Sequence, residues 1–314
     1  MGKEIRTIYK EGQDKLAAGG VHDAAFDARA LLSFVLEIPF REMPLHYMDE
    51  AADEQQALFD ELIGRRLEGE PLQYITGEQE FMGLTFHVDS RVLIPRLDTE
   101  ILADKALEYV NSRSDGSETF RVLDLCCGSG AIGLSIAALA DTGKDAALAN
   151  PETYASQIGD EAVAATDAAR VEVVLSDISK DALEVARQNA EQLGISDRVT
   201  FVQGDLFDEL GQGGFDLIVS NPPYIRTDVI ETLDAEVKDH EPVLALDGGT
   251  DGLDIYRRIA EEAPGYLKEG GCLMMEIGFD QAEEVAELLK EGFDDVQVMK
   301  DLAGLDRIVS AKRK

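Results

Sequence analysis

The stretch RVLDLCCGSGAIGLSIAALA, residues 121–140, decides the fold. Its apolar start predicts a buried β-strand over 121–125, and IGLSIAALA predicts the helix that follows. The glycines between them let the backbone approach a ligand closely, and the first turn of the helix offers free N–H groups. Taken alone, residues 124–133 fit two interpretations equally well: a binding loop, or a tight turn that needs Gly for its geometry.

The alternation of strand and helix continues toward the end of the chain. Apolar residues on one face indicate two further helices, one with Leu183, Ala186 and Ala190 and one with Val285, Leu288 and Leu289. Further strands are predicted at 171–176, 199–203, 215–220, 272–277, 296–300 and 307–311. The pattern predicts an α/β fold built on a doubly wound, seven-stranded sheet. Residues 141–169 lack a sustained apolar stripe, and we interpret them as an insertion.

The N-terminal part predicts a separate, small helical domain. Apolar residues recur at helical spacing over 5–67, and Pro39, Pro44 and Gly64 divide this stretch into several short helices. Two short apolar runs, GLTFHV and RVLI, are separated by Asp89 and Ser90 and predict a β-hairpin. We therefore expect a helical domain over 1–77, and the linking hairpin and the sheet over 78–314.

Composition limits the classes of partner. The 314 residues contain 29 Lys and Arg against 63 Asp and Glu, a net charge of −34, while 45% of the residues are hydrophobic. The length favours two domains. An acidic surface repels phosphates, which disfavours a bulk nucleic-acid binder and docking to anionic lipid. No apolar run approaches the roughly 18 residues of a membrane span, so the expectation is a soluble, cytoplasmic protein.

Cysteine and histidine spacing predicts neither a metal site nor a disulfide framework. Cys126, Cys127 and Cys272 form no CxxC pair, and the four histidines lack ligand spacing. We expect no metal, and we expect a reducing compartment.

Polar residues stand at the ends of three successive predicted strands. Asp177 ends the second strand, where a carboxylate can accept two hydrogen bonds from ribose hydroxyls. The alternative is a helix N-cap, but Ser179 can fill that role. Gly204 and Asp205 repeat the arrangement after the third strand, near the expected place of an adenine ring. The three strand ends together predict a site for a nucleoside.

The sequence SNPPYI, residues 220–225, follows the fourth strand. Two successive prolines stiffen the backbone and donate no N–H, so the carbonyl groups around them are free to accept. The side-chain oxygen of Asn221 and the carbonyl of Pro222 can together accept both hydrogens of a planar NH2 group, while Tyr224 supplies a flat wall. The alternative, a rigid loop with a buried Tyr, gives Asn-Pro-Pro no packing purpose. We favour the functional interpretation.

These motifs resemble the S-adenosylmethionine-dependent methyltransferases that act on NH2 nitrogens. The stretches PLQYITG (71–77), FMGLTFHV (81–88), LIPRLDTE (93–100), EPVLALDGGTDGL (241–253) and DLAGLDRIV (301–309) narrow the resemblance to the release factor glutamine N5-methyltransferase family. The resemblance implies a Rossmann-like methyltransferase fold and an enzyme, a protein-(glutamine-N5) methyltransferase. It also implies that S-adenosylmethionine is the cofactor and that the target is the glutamine of the Gly-Gly-Gln segment of peptide-chain release factors, which act in translation termination.

The resemblance also implies roles for single residues. The cofactor would contact the loop after the first strand, which contains Cys126, Cys127, Gly128, Ser129 and Gly130. It would also contact Asp177 at the end of the second strand, Asp205 and Leu206 after the third strand, and Asn221 after the fourth. The target glutamine would bind Asn221, Pro222, Pro223 and Tyr224, and the catalytic role would fall to Asn221, Pro222 and Tyr224. Orientation and the cofactor's own leaving group then suffice without a metal.

Two departures from the family pattern stand out. The family usually has Gly-Thr where Cys126 and Cys127 stand, and Pro where Leu97 stands. The first replacement requires that Cys126 not adopt a positive φ, where a residue other than Gly is strained. A vicinal disulfide or redox role for the two cysteines is an alternative, but we favour small residues that fill a tight loop.

Two other functions compete with protein methylation. An N6-adenine methyltransferase on DNA or RNA would present the same NH2 group to the same tetrad, but the charge of −34 and the lack of a basic stripe argue against it. A non-catalytic cofactor-binding module would not need the intact tetrad. We therefore expect release factors as partners, with no nucleic acid and no membrane. The helical domain lacks strand-end motifs and is expected to recognise the folded substrate; alternatively, it only covers an apolar face.

Overall fold

The computed structural model describes residues 2–113, 119–140 and 171–314, and these divide into two units. The first unit contains the residues up to Glu78 together with Asp234–His240, and the second contains Gln79–Leu233 and Glu241–Lys314. The sequence pattern did not indicate that Asp234–His240 packs with the first unit. The insertion predicted at 141–169 lies outside the described residues.

The first unit is built from short helices, as predicted. They are α1 (Ile5–Ala18), α2 (Ala24–Leu36), α3 (Asp53–Leu67) and α4 (Leu72–Thr76), with a 3-10 turn at Met43–His46. Leu16, Leu31 and Phe59 are among the side chains that form its core. A two-residue strand, β1 (Lys3–Glu4), pairs antiparallel with β2 (Glu50–Ala51). The sequence did not predict this pair, because two residues carry no periodicity.

Arg66 holds Asp234–His240 in the first unit. Its guanidinium donates to Asp27 Oδ2 at 2.7 Å and to Glu236 Oε1 at 2.5 Å. Arg66 and Asp27 are buried, and burial raises the pKa of Asp27 against the opposing effect of the Arg66 charge. Removing one partner would leave a buried charge uncompensated, which is far costlier than losing a surface ion pair.

The hairpin is present but lies earlier than predicted. It pairs β3 (Glu78–Phe81) with β4 (Leu84–His87), and its turn is Met82–Gly83, with φ of 53° and 73°. Positive φ at both positions suits the right-handed twist of a two-residue hairpin. The prediction that 91–94 forms the second strand was wrong. Asp89 instead accepts the backbone N–H of Arg91 at 3.0 Å, which makes a local turn.

The second unit contains a sheet of seven strands among the described residues, as predicted: β5 Phe120–Leu125, β6 Val171–Asp177, β7 Val199–Gln203, β8 Phe215–Ser220, β9 Leu267–Glu276, β10 Phe293–Lys300 and β11 Asp306–Arg313. Their order in the sheet is β10-β11-β9-β8-β5-β6-β7. The pairs β7–β6, β6–β5, β5–β8 and β8–β9 are parallel, and β11 pairs antiparallel with both β9 and β10. Strand β9 begins before the predicted residue 272, because an irregular register against β8 accommodates its Gly-rich start.

Helices cover both faces of this sheet. The helices of this unit are α5 (Leu97–Arg113), α6 (Ala131–Leu139), α7 (Lys180–Gln192), α8 (Thr227–Ile230), α10 (Asp254–Tyr266) and α11 (Ala282–Leu289), with a 3-10 turn at Val243–Ala245. The helix between α8 and α10 in the chain, α9 (Ala235–Lys238), belongs to the first unit. Val122 packs with α5, α6 and α7 in one apolar cluster, and its neighbour Leu123 packs with α10 and α11 in a second. Neighbouring residues of a strand point to opposite faces, which explains the two clusters.

The strand order places a switch point beside β5. Strand β5 has β6 on one side and β8 on the other, so the helices that follow β5 and β8 leave toward opposite faces. Ligands of open α/β sheets bind at this point, outside the carboxyl ends of the strands. Within the described ranges, no helix combines the length and apolar character that a membrane span requires.

Candidate active site

A cavity opens at the carboxyl ends of the parallel strands. Of the residues predicted for the site, it is lined by Cys126, Cys127, Gly128, Ser129, Asp177, Asp205, Leu206, Asn221 and Pro223. Three others lie beside it without lining it: Gly130, Pro222 and Tyr224. The structure thus brings all four predicted strand ends to one place.

The loop after β5 is shaped by two glycines. Gly130 has φ of 81° at the start of α6, and a Cβ there would lie 2.9 Å from Leu134 and 3.0 Å from Leu175. Gly128 has φ of 53°, and its N–H donates to Asp177 Oδ2 at 2.9 Å. No heavy atom lies within 4 Å of the place where a Cβ of Gly128 would stand. The loop is therefore fixed to β6 while open space remains in front of it.

Asp177 accepts hydrogen bonds from the loop and from its own strand end. Besides Gly128, the N–H of Ser179 donates to it at 2.8 Å. Burial raises its pKa, and these backbone N–H groups oppose that rise. The Ser179 hydroxyl accepts from Ala182 N at 3.1 Å and caps α7, so Asp177 is not needed as a cap. A carboxylate has about four lone-pair sites, so further acceptor capacity remains for hydroxyl groups.

Asp205 and Leu206 continue the wall after β7. Asp205 Oδ1 accepts from Arg258 of α10 at 2.7 Å, a partner that sequence reasoning missed. Leu206 is buried with φ of 56°, and its carbonyl accepts from the Ser176 hydroxyl at 3.3 Å. These bonds fix an apolar side chain beside an acidic one at the rim of the cavity.

Asp124 lies fully buried beneath the loop. Its Oδ2 accepts from Gly133 N at 2.8 Å, whereas Oδ1 has no hydrogen-bond partner among the described residues. Burial raises the pKa of Asp124 to about 7, against the opposing effect of the Gly133 N–H. A protonated carboxyl is cheaper to bury than a carboxylate, so the protonated form stabilises the fold.

We expect the stability of the ligand-free protein to fall between about pH 4 and about pH 7 through this group. The pKa of Asp124 is higher in the folded than in the unfolded chain, so its contribution is present at low pH and lost as the pH rises through the folded value. Asp124→Asn should abolish this component, which we expect to amount to roughly 1–3 kcal/mol. Urea unfolding of both proteins at about pH 5 and about pH 8 measures it. An identical pH dependence in the two proteins would contradict this assignment.

Cys126 adopts a positive φ, contrary to the expectation for a residue other than Gly at this position. Its φ is 57°, in the left-handed region that favours Gly, the residue that the family usually has there. The Cys side chain therefore costs strain, about 1–2 kcal/mol for a left-handed residue with a Cβ. Burial raises the pKa of both Cys126 and Cys127, so the thiols stay protonated, which disfavours a redox role.

Cys126→Gly is expected to stabilise the protein by roughly 0.5–1 kcal/mol, because relief of the strain exceeds the added entropy of the unfolded chain. Cys127→Gly is the matched control: Cys127 is buried without a positive φ, so the same substitution should destabilise. Urea unfolding midpoints measure both. A destabilised Cys126→Gly protein would show that side-chain packing outweighs backbone strain here.

The second departure, at Leu97, leaves the site intact. Leu97 is the first residue of α5 and is 75% exposed. Pro is favoured at this position because its missing N–H is not needed there, and other residues are tolerated for the same reason.

The segment after β8 is held by the glycine-rich motif that follows it. Ile225 N donates to Leu246 O at 2.9 Å, and Gly248 N donates to Ile225 O at 2.8 Å. A Cβ at Gly248 would lie 2.7 Å from the Tyr224 Cα and 2.9 Å from the Pro223 carbonyl oxygen, so only Gly allows this approach. The EPVLALDGGTDGL stretch thus supports the NPPY tetrad.

A buried polar network lies behind the tetrad. Asn221 Nδ2 donates to Thr99 Oγ1 at 3.2 Å, and the Thr99 hydroxyl donates to Glu276 Oε2 at 2.6 Å. The Tyr224 hydroxyl donates to Glu276 Oε1 at 3.2 Å. Burial raises the pKa of Glu276, and the Thr99 hydroxyl and the charge of Arg307 oppose the rise. Sequence reasoning missed Thr99 and Glu276, although Glu276 ends its strand as Asp177 does.

Two further segments line the cavity and were not predicted. One contributes Arg91, Val92, Leu93 and Pro95, and the other contributes Pro242, Leu244 and Ala245. Arg96 beside the first donates to Glu241 beside the second at 2.5 Å. Leu93 and Pro95 lie in the stretch LIPRLDTE and the second segment lies in EPVLALDGGTDGL, two stretches that carry the family resemblance, whereas Arg91 and Val92 lie outside them. Apart from Arg91, these lining residues are apolar.

The arrangement suits a nucleoside-bearing ligand next to an acceptor for an NH2 group. In the part of the chain that the structure describes, no group of three or more His, Cys, Asp or Glu side chains could hold a metal ion. The polar groups that line the cavity include carboxylate and amide acceptors, hydroxyl groups and the Arg91 guanidinium, which can position ligands through hydrogen bonds. Their chemistry is therefore that of orientation.

Comparisons with known proteins agree with this geometry. Residues 7–77 match the model of the PrmC N-terminal domain, and residues 117–306 match a methyltransferase domain. The release factor glutamine methyltransferase of Clostridium acetobutylicum is 42% identical, covering 91% of this chain and 90% of that protein. Those of Agrobacterium fabrum and Moorella thermoacetica are each 38% identical and cover 95% and 99% of this chain, and 94% and 99% of their own lengths.

A solved structure shows the same fold at low identity. The hMettl16 catalytic domain, in complex with a hairpin of the MAT2A 3'UTR, superimposes with a TM-score of 0.50 at 14% identity, covering 73% of this chain and 76% of that one. The fold, the cavity and the identity over most of the chain lead to one conclusion: the chain belongs to the release factor glutamine methyltransferase family.

Proposed function

We propose that this protein transfers a methyl group from S-adenosylmethionine to the side-chain amide nitrogen of the glutamine in the Gly-Gly-Gln segment of peptide-chain release factors. One observation carries the proposal: Asp177 and Asn221, a hydroxyl acceptor and an amide acceptor, line the same cavity. A relative's substrate supports the target class, since the three relatives named above are release factor glutamine methyltransferases.

The residues of the cavity fit the cofactor. The open space in front of Gly128 admits a ligand against the backbone, and Asp177 has acceptor capacity left for ribose hydroxyls. Leu206 and Asp205 would border the adenine, and Cys126 to Gly130 the methionine and ribose part. When bound, S-adenosylmethionine supplies an electrophilic methyl group and its own leaving group.

The tetrad would hold the target amide. An amide nitrogen is a poor nucleophile because its lone pair is delocalised into the carbonyl group. Oδ1 of Asn221, which lines the cavity, and the carbonyl oxygen of Pro222 beside it would accept its two N–H groups, and Tyr224, also beside the cavity, would bound it with a flat wall. Effective molarities of about 10⁵ to 10⁸ M for aligned reactants indicate how much positioning alone contributes. Glu276 is already engaged by two hydroxyls, and we assign no general base. As the nitrogen–methyl bond would form and the sulfur–methyl bond would break, the nitrogen would release one proton to water.

The first unit is proposed to recognise the folded release factor. A glutamine on a short glycine-rich loop offers few contacts, whereas a stable interface typically buries about 800 Å² per partner. Exposed apolar side chains of this unit, such as Leu45 and Met48, are available for that purpose. On this proposal a short Gly-Gly-Gln peptide is a much weaker substrate than the intact release factor.

N6-adenine methylation is disfavoured. The net charge of −34 opposes binding to phosphate backbones, and the likeness to the hMettl16 domain is one of fold. The competing functions separate in one experiment with labelled S-adenosylmethionine, offered with an intact release factor, with a release factor whose Gly-Gly-Gln glutamine is replaced by alanine, and with DNA or RNA. We expect label on the first alone. Label on nucleic acid, or on the glutamine-free release factor, would overturn the proposal.

A further inference from the structure

The Asn221 side chain has two ends of similar shape and opposite hydrogen-bonding character. Its Oδ1 accepts, whereas its Nδ2 donates. The proposed function needs Oδ1 to face the NH2 group of the target. In the flipped amide, Nδ2 would face that NH2 group, and two donors cannot form a hydrogen bond with each other. Something in the protein must therefore decide which way this amide points.

Thr99 faces the Nδ2 end of Asn221 at 3.2 Å. A hydroxyl has one hydrogen, and that of Thr99 lies on the 2.6 Å bond to Glu276 Oε2. Both carboxyl oxygens of Glu276 accept from hydroxyls, Oε2 from Thr99 and Oε1 from Tyr224, which is the pattern of the ionised form, and an ionised carboxylate cannot donate. The hydrogen of Thr99 is thus committed to Glu276, and toward Asn221 the same oxygen can only accept. If the Asn221 amide were flipped, its Oδ1 would face a lone pair of Thr99 Oγ1, and the two oxygens would repel each other.

The carboxylate itself is held from several sides. The Tyr224 hydroxyl donates to the carboxylate oxygen Oε1 of Glu276 at 3.2 Å. The backbone of the same residue is also held, because the Tyr256 hydroxyl donates to the Glu276 carbonyl oxygen at 2.8 Å. Glu276 is 2% exposed and Thr99 is 4% exposed, so water does not compete for these bonds. Arg307 favours the ionised form from a distance, while its guanidinium pairs with Asp98 and Asp301 at 3.2 and 3.1 Å.

Burying a carboxylate without a direct ion pair lowers the free energy of unfolding, because the charge loses its hydration. Stability alone therefore does not explain why an acid stands at this position, whereas a requirement for a group that only accepts does. We propose that Glu276 and Thr99 are positioning residues which fix the orientation of the Asn221 amide through hydrogen bonds that run in one direction and so aim Asn221 Oδ1 at the target nitrogen. This inference rests on the proposed function.

Two substitutions of nearly equal size separate orientation from packing. Thr99→Val keeps the shape and removes the hydroxyl, and Thr99→Ser keeps the hydroxyl. We expect Thr99→Val to lower kcat by about 10- to 100-fold, with little change in KM for the release factor or in calorimetric affinity for S-adenosylmethionine. Thr99→Ser should stay within a few-fold of wild type. Thr232→Val removes an exposed hydroxyl that donates to the Val229 carbonyl and does not line the cavity, so it serves as the control, with kcat unchanged. Should Thr99→Val not fold, Thr99→Ala carries the same expectation.

A double-mutant cycle tests the part of Glu276. In Glu276→Gln the acceptor-only group becomes an amide that can also donate, so the hydrogen-bond direction is no longer fixed. We expect kcat to fall about 3- to 30-fold, and to fall no further when the change is added to Thr99→Val.

The outcomes distinguish the inference from the function on which it rests. Wild-type transfer to the release factor together with equal kcat for Thr99→Val and Thr99→Ser would overturn the inference alone, as would additive losses in the cycle. A wild-type protein that labels no glutamine would overturn the proposed function and the inference with it.

Discussion

Asn221→Ala is expected to lower kcat by about 10² to 10³-fold, the loss typical of removing one oriented polar group at a reacting centre. The substitution removes the proposed acceptor for one target N–H, and it also removes the side chain that donates to Thr99. It leaves Asp177, Gly128 and Leu206 in place, so most of the affinity for S-adenosylmethionine should remain. Steady-state kinetics with an intact release factor and calorimetry with the cofactor measure the two quantities separately.

Asn111→Ala, on α5 away from the cavity, is the matched control and should leave kcat unchanged. If kcat of Asn221→Ala stays within a few-fold of wild type, the tetrad is not the reacting centre, and the account of the target site is wrong.

Asp177→Ala should weaken S-adenosylmethionine binding by roughly 1.5–3 kcal/mol, the range for hydrogen bonds to a charged group. The substitution would remove the acceptor for the ribose hydroxyls. It would also remove the acceptor for the Gly128 N–H, which fixes the loop after β5. Calorimetric titration of the folded variant with S-adenosylmethionine measures the loss.

Asp181→Ala provides the control for charge. Asp181 is exposed in the first turn of α7, carries the same charge and does not line the cavity. Its removal should change cofactor affinity little. Unchanged affinity in a folded Asp177→Ala protein would remove Asp177 from the site.

The parts of the site that sequence reasoning found share one property. Asp177 and Asn221 directly follow apolar strands, and parallel strands bring their carboxyl ends together, so position along the chain translates into position in space. Thr99 escapes this rule because it lies at the start of a helix, and it meets Glu276 only through tertiary packing. Glu276 ends strand β9, so the same rule could have predicted it as a residue of this edge of the sheet.

Backbone conformation was the less predictable part of the fold. The turn at Met82 and the loop at Cys126 place residues with a Cβ at positive φ, where propensity alone expects Gly. Their surroundings override the local preference, which cannot be read from neighbouring residues. The same holds for residues 91–94, whose apolar run resembles a strand, although its first three residues line the cavity.

The central claim is that the NPPY tetrad delivers a methyl group to the side-chain nitrogen of one glutamine. Its most direct test is a single-turnover reaction of the wild-type protein with isotopically labelled S-adenosylmethionine and an intact release factor, followed by fragment mass spectrometry of the labelled peptide. The account predicts one methyl group on the side-chain amide nitrogen of the Gly-Gly-Gln glutamine. A methyl group on any other residue, or on a carboxylate or hydroxyl oxygen, would contradict it.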